Sequence, residues 1–184
     1  DPFEVSAGPA YTCAIRASGT VWSWGDNSWG NLGIGPVAKA PVPQKVELPR
    51  AAIAIATGKV DARTHTCALL EGGAVECWGA NGNGQLGTGD NLASGSPVAV
   101  VDLPETIRIA VGGVHTCAVS KAHQIRCWGG NGFGQLGLGM GISDKSAPVL
   151  VTNNVADVAL GGAHSCALLQ NAAVACWGAN PFGQ

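Results

Sequence analysis

An all-β fold, built of four-stranded antiparallel sheets stacked side by side like propeller blades, is predicted by three observations. A unit of about 50 residues recurs along the chain, each copy reads as short strands joined by tight turns, and no segment keeps a helical period. The composition agrees. The 184 residues include 28 glycines and 10 prolines, only 12% are charged, and 46% are hydrophobic. That balance is too apolar for disorder and too rich in turn formers for long surface helices.

The repeat is read from four segments. "YTCAIRASGTVWSWGDN" begins at Tyr11, "HTCALLEGGAVECWGAN" at His65, "HTCAVSKAHQIRCWGGN" at His115 and "HSCALLQNAAVACWGAN" at His164. Trp24, Trp78, Trp128 and Trp177 fall 54, 50 and 49 residues apart, and Cys13, Cys67, Cys117 and Cys166 keep the same intervals. The longer first interval places a four-residue insertion around Lys59 to Ala62. Within each unit, runs such as "THTCALL" and "AVECWG" flank the turn Glu71-Gly72-Gly73 and read as a hairpin. A β-rich run, "SPVAVVDLP", and a last strand, "IRIAVGG", complete about four strands per unit. One such sheet cannot bury both faces, so neighbouring units must stack. The units are drawn at 5–53, 54–108, 109–157 and 158–184, about 3.5 repeats in a single partial domain spanning 1–184.

Gly82-Asn-Gly84-Gln-Leu-Gly87 matches the spacing of a dinucleotide-binding loop. That fingerprint needs a long helix after it and an acidic residue about 20 positions on. Here Pro97 follows ten residues after Gly87, and "TGDNLASGS" is no helix. The four copies retain Asn-x-x-Gly: Asn27/Gly30, Asn81/Gly84, Asn131/Gly134 and Asn180/Gly183. This suits a loop with positive φ and close backbone approach. No nucleotide or other cofactor is expected.

The motif H-[TS]-C-A-[LV]…V-x-C-W-G-x-N-x-[FN]-G-Q-L-G-x-G resembles the repeat of the regulator of chromosome condensation family. The resemblance covers nearly the whole chain and implies blades of a seven-bladed β-propeller. The paired cysteines resemble the bacterial extracellular branch of that family more than the nuclear one. The family holds an exchange factor for a small GTPase, a secreted β-lactamase inhibitor and many binding modules, so the fold transmits no single activity. Seven such blades need roughly 350 residues. The missing blades are expected from the rest of a longer chain. Two copies closing one ring would give eight hairpins but only six complete downstream halves. The first unit departs from the pattern, with Tyr11 in place of His, Ser23 in place of Cys and Asn31 in place of Gln.

Cys67/Cys77, Cys117/Cys127 and Cys166/Cys176 are each ten apart across a hairpin. Facing residues there have Cα atoms about 4.5–5.5 Å apart, within reach of a disulfide. Three intrablade disulfides are expected, with paired thiols as the alternative, and Cys13 is left as a free thiol. Disulfides would place the protein in an oxidising compartment: secreted, periplasmic or on the cell surface. His65, His115 and His164 share one repeat position and are separated by the ring, so each is read as hydrogen-bonding the neighbouring loop, not as a metal ligand. Trp24, Trp78, Trp128 and Trp177 are read as wedges between blades; a stacking platform for sugars or bases is the alternative.

No metal site and no catalytic constellation emerge. Asp61, Asp90, Asp102, Asp144 and Asp157 lack a partner at the same repeat position, and Ser96 and Ser146 lack a repeated His and acid beside them. The net charge of −2, without a basic run, excludes a nucleic-acid footprint. No apolar stretch approaches a membrane span. The chain begins Asp1-Pro2-Phe3, as a processed polypeptide would. The expected function is non-enzymatic binding of another protein or a larger complex, with a guanine-nucleotide exchange role or a glycan-binding role as alternatives. Partner contacts are expected where units differ: Trp22, Trp29 and Lys39 in the first unit, Lys59, Asp61 and Arg63 in the insertion, and Met140, Asp144 and Lys145 in "GMGISDKSA".

Overall fold

The computed structural model describes residues 2–60 and 63–184, and every regular element among them is a β-strand. Short apolar runs joined by tight turns fold each unit into an antiparallel meander. The first sheet contains β1 (Pro2–Ala7), β2 (Tyr11–Arg16), β3 (Val21–Asp26) and β4 (Lys39–Lys45), in that order. The second contains β5 (Ala52–Thr57), β6 (His65–Leu70), β7 (Val75–Gly79) and β8 (Ser94–Ala99). The third contains β9 (Thr106–Val111), β10 (His115–Ser120), β11 (Ile125–Gly129) and β12 (Lys145–Thr152), and the fourth β13 (Val155–Leu160), β14 (His164–Leu169) and β15 (Val174–Gly178).

These boundaries are shifted from the units drawn on the sequence. The cuts at 53/54, 108/109 and 157/158 fall inside β5, β9 and β13. A strand such as "IRIAV" does not close its own unit; it pairs with the hairpin that follows, Ala110 facing Cys117. The insertion is visible in the connections. Residues 58–64 join β5 to β6 where residues 112–114 suffice between β9 and β10.

Three apolar clusters lie between the sheets. Cys13, Ile15 and Val21 of the first pack on Ile55, Ala68 and Trp78 of the second. Val119 and Ile125 of the third pack on Val158 and Ala167 of the fourth, with Trp177 alongside. The inner strands β1, β5, β9 and β13 touch in series, so each sheet is a blade and these strands line the axis.

The first blade keeps the common register despite its altered residues. Cys13 faces Ser23 as Cys67 faces Cys77. Connections alternate between two faces because all pairing is antiparallel. The loops after β3, β7 and β11, and those after β1, β5 and β9, share one face, called here the loop face. The hairpin turns occupy the other.

Candidate functional site

In each of the first three blades one peptide carbonyl organises the contact with the next. The carbonyl oxygen of Gln85 accepts from Thr116 Oγ1 and from Trp128 Nε1, both at 2.9 Å. The carbonyl of Gln135 accepts from Ser165 Oγ at 2.7 Å and Trp177 Nε1 at 2.9 Å. Asn31, at this position in the first blade, accepts from Thr66 Oγ1 and Trp78 Nε1, both at 2.9 Å. Both lone pairs of each buried oxygen are thereby used. Trp78 and Trp128 are fully buried, whereas Trp177 and Trp24 are half-buried.

The repeated histidines do not fix their neighbouring loops, as the sequence suggests. They reach across to the following blade. His65 Nε2 lies 2.7 Å from Thr116 Oγ1, and His115 Nε2 lies 3.0 Å from Ser165 Oγ. Each hydroxyl spends its single proton on a carbonyl, so each His Nε2 carries a hydrogen and donates it. Burial, reinforced by the neighbouring histidine, pushes His65 down to about 3 and His115 down to about 4. Both are neutral at neutral pH. In the first blade Tyr11 takes this place, its Oη 3.0 Å from both the His65 carbonyl oxygen and Thr66 Oγ1. Burial drives its pKa up to about 12. His164, at this position in the fourth blade, is half-buried. Thr66, Thr116 and Ser165 fill the second position of the H-[TS]-C motif, and only the retention of a hydroxyl there marks them in the sequence.

The glycine-rich loop is a knot. Asn81 Oδ1 accepts from Leu86 N at 2.9 Å while its Nδ2 donates to the Leu92 carbonyl at 3.0 Å. Asn131 repeats both bonds with Leu136 and Ile142, and Asn27 with Leu32 and Val37. Gly84 has φ 79°, and a Cβ there would stand 2.5 Å from Ser146 Cα in the next blade. At Gly87 it would stand 2.7 Å from Trp128 Nε1. The glycines let loop and blade touch.

Cys67–Cys77, Cys117–Cys127 and Cys166–Cys176 are disulfides, each with Cα atoms 4.1 Å apart. Cys13 is free and buried, its pKa pushed up to about 12 by burial. Ser23 opposite it donates to the Leu32 carbonyl at 2.6 Å.

Of the residues that vary between units, Lys39, Lys59, Arg63, Trp29 and Met140 lie exposed at the loop face, the last two at 44% and 77%. Asp61 lies outside the described residues. The backbone of the insertion is pinned: Lys59 N–H donates to the Gly112 carbonyl, and the Arg63 carbonyl accepts from Gln85 Nε2. Asp144 is an internal tie. It accepts from Asn131 N and from Asn83 Nδ2, each at 2.8 Å, and so bridges two blades. Lys145 opens β12 opposite Gly129. Trp22 is at the other end of β3, half-buried beneath the Arg16 guanidinium at 4.7 Å. Two grooves separate the outer edges of the first and second blades. One, of about 600 Å³, is lined by Lys39, Gln44, Lys45 and Pro97; the other, of about 670 Å³, by Trp29, Val37 and Ser94. No group of three or more His, Cys, Asp and Glu able to hold a metal occurs among the described residues.

The regulator of chromosome condensation (RCC1) repeat model matches residues 18–69, 73–119 and 124–168. The chain belongs to this family. A second RCC1 repeat model matches 4–31, 107–135 and 155–184. The Xenopus laevis "Protein RCC2 homolog" is 37% identical over 95 residues, half of this chain and 18% of that protein. The human "E3 ubiquitin-protein ligase HERC2" is 31% identical over 113 residues, 59% of this chain and 2% of that one. The structure of human WBSCR16 superposes on the whole chain with a TM-score of 0.88 and 21% identity. Prp20p from Saccharomyces cerevisiae superposes on 86% of it, with a TM-score of 0.74 and 23% identity. This RCC1-repeat chain covers 49% and 41% of those two structures, so it spans about half of each or less.

Proposed function

We propose that this chain is a non-enzymatic protein-binding scaffold, part of a seven-bladed propeller of an exported or envelope-associated protein, that meets its partner through the loop face. The observation carrying the reading is a division of labour. Repeated residues are committed to disulfides within hairpins, to the loop knots and to bonds between blades, while Trp29, Lys39, Lys59, Arg63 and Met140 are exposed on one face. The aromatic Trp29 beside a groove suits the anchor-in-pocket pattern of protein interfaces. Immobilised protein should recover a partner from an envelope extract, and the combined variant Trp29→Ala, Lys39→Ala, Met140→Ala should lose it at unchanged melting temperature. Undiminished recovery overturns the assignment to this face.

A second reading, regulation of a small GTPase inside the cell, is favoured by the fold shared with Prp20p, a protein with binding properties toward Gsp1p and histones. The compartment separates the two. Thiol titration of the purified, denatured protein should give one free thiol per chain, from Cys13. A count of seven would favour a reducing compartment and the second reading.

A further inference from the structure

We infer that the trough between the outer strands of the first and second blades takes an extended acidic segment of the partner protein, which rests on the loop face being the binding face. A carboxylate of the segment sits on Lys39 and an apolar side chain on Trp29. The trough arises from a departure within the repeat. Opposite Gly25, Gly79 and Gly129, the outer strands run Ala40-Pro41-Val42-Pro43, Ser94-Gly95-Ser96-Pro97 and Lys145-Ser146-Ala147-Pro148. A loop glycine of the preceding blade meets the second residue of the set: Gly84 meets Ser146 in the third blade, and Gly30 meets Gly95 in the second. The Gly35 N–H also donates to the Gly95 carbonyl at 2.9 Å, as the Gly89 N–H does to that of Ser146 at 2.8 Å. With only Ser94, Gly95 and Ser96 beside this contact, a groove stays open on either side of it, of about 600 Å³ and about 670 Å³.

Gly35, Val37 and Ser96 line both grooves, so the two form one trough. Trp29 and Val37 wall it at one end, and Ile34, Pro41 and Pro97 at the other. Alongside lies β4, seven residues long, which is about 23 Å at the usual rise of a strand. An extended segment of about seven residues spans that length. Pro41 and Pro43 carry no N–H, so β4 lacks the donors that an added strand needs. The segment is therefore held by its side chains and not as a further strand.

Charge selects an acidic occupant. Lys39, Lys45 and Glu47 are the charged residues lining the trough. Lys45 is paired with Glu47 at 3.0 Å. Asp26 faces Lys39 across β3 and β4, but its carboxylate accepts from Ser28 N at 3.1 Å and from Ser28 Oγ at 2.8 Å. Lys39 makes no ion pair among the described residues. It stands exposed two residues from Val37, where the grooves join. A carboxylate held there beside apolar walls is screened less than one on an open surface.

The test probes the folded chain with an array of short synthetic peptides permuting Asp, Leu, Phe, Ser and Lys, then titrates the tightest by fluorescence anisotropy. Peptides that pair Asp with Leu or Phe should bind, and their Lys counterparts should not. Lys39→Glu should reverse that preference, and Trp29→Ala should weaken every peptide several-fold. Ser96→Trp, which fills the junction of the two grooves, should abolish binding, all three at unchanged melting temperature. No peptide binding, or an Asp preference that survives Lys39→Glu, overturns the inference. Retention on a parallel glycan array in place of the peptides also overturns it, and assigns Trp29 to stacking on sugars. The loop-face reading is separated by the envelope extract. A partner recovered equally by the parent and by Ser96→Trp, yet lost by the triple loop-face variant, would leave that reading standing and remove this one.

Discussion

The first and second blades share a backbone and differ in how their hairpins and borders are fastened. In the second, Cys67 and Cys77 are joined covalently, and His65 reaches Thr116 of the third. In the first, Cys13 faces Ser23 in the same register without a bond, and Tyr11 reaches Thr66 of the second. The disulfide therefore does not set the register. The shared turn length does that, and the sulfur bridge secures a pairing already specified. The border is equally tolerant of chemistry: a phenol or an imidazole fills the slot, provided it presents a polar edge to the hydroxyl. What does not vary is the doubly accepting carbonyl and the indole below it, in Asn31 with Trp78 as in Gln85 with Trp128.

The largest effect should come from that invariant part. Trp128 is fully buried and bonded through Nε1, so Trp128→Ala removes a wedge and leaves the Gln85 carbonyl short of a donor. A loss of about 3–5 kcal/mol is expected in urea denaturation. Trp24 is half-buried, and Trp24→Ala in dilute solution should cost no more than about 1–2 kcal/mol. Equal losses would break the view that the indole acts by filling an interblade space.

The His and Tyr borders should separate on acidification. The folded pKa values of His65 and His115, about 3 and about 4, lie below that of an unfolded histidine. Protons therefore bind the unfolded chain preferentially. The stability is fully present above about pH 6.5 and is lost as pH falls toward 4, with about 2 kcal/mol lost per histidine at pH 5. The Tyr11 border has no such group in this range. Denaturation midpoints between pH 7.5 and 4.5 should fall steeply in the parent and less in the double variant His65→Gln, His115→Gln. An unchanged slope in that variant would assign acid sensitivity elsewhere.

Much of this was legible in one dimension, and the residues show where legibility ended. The period located every hairpin, and ten-residue spacing about a turn put Cys117 opposite Cys127 because antiparallel pairing is a reflection about the turn. The recurrence of Asn81-x-x-Gly84, without a following helix, excluded a nucleotide loop and pointed to a structural knot. A repeat gives a residue's place within a unit, not what the next unit sets against it. Hence the sequence directs His65 to a neighbouring loop, whereas its partner is Thr116, 51 residues on. Asp144, expected among the partner-facing residues, is exposed and is also tied to Asn83, 61 residues away, a pairing that spacing alone does not reveal. Strand ownership escapes the sequence for the same reason: "IRIAV" is contiguous with both units, and its pairing with β10 decides.

The finest comparison is a single atom, the oxygen of Ser23. Replacing it with sulfur in Ser23→Cys gives the first blade the same opposed pair as the second, because Cys13 and Ser23 already stand in the Cys67–Cys77 register. Closing a loop of this size contributes about 2–3 kcal/mol, and losing the Ser23 bond to the Leu32 carbonyl removes about 1 kcal/mol. A net gain of about 1–2 kcal/mol is expected. Burial holds the Cys13 thiol up to about 12, and a thiol so protonated does not exchange readily. The new bridge should therefore form during oxidative refolding and not on exposure of the folded protein to oxidant. Titration should then find no free thiol where the parent has one, with the denaturation midpoint raised. Two persistent thiols after oxidative refolding would mean that the first hairpin is held apart at this position, and that the shared register hides a difference in strand separation.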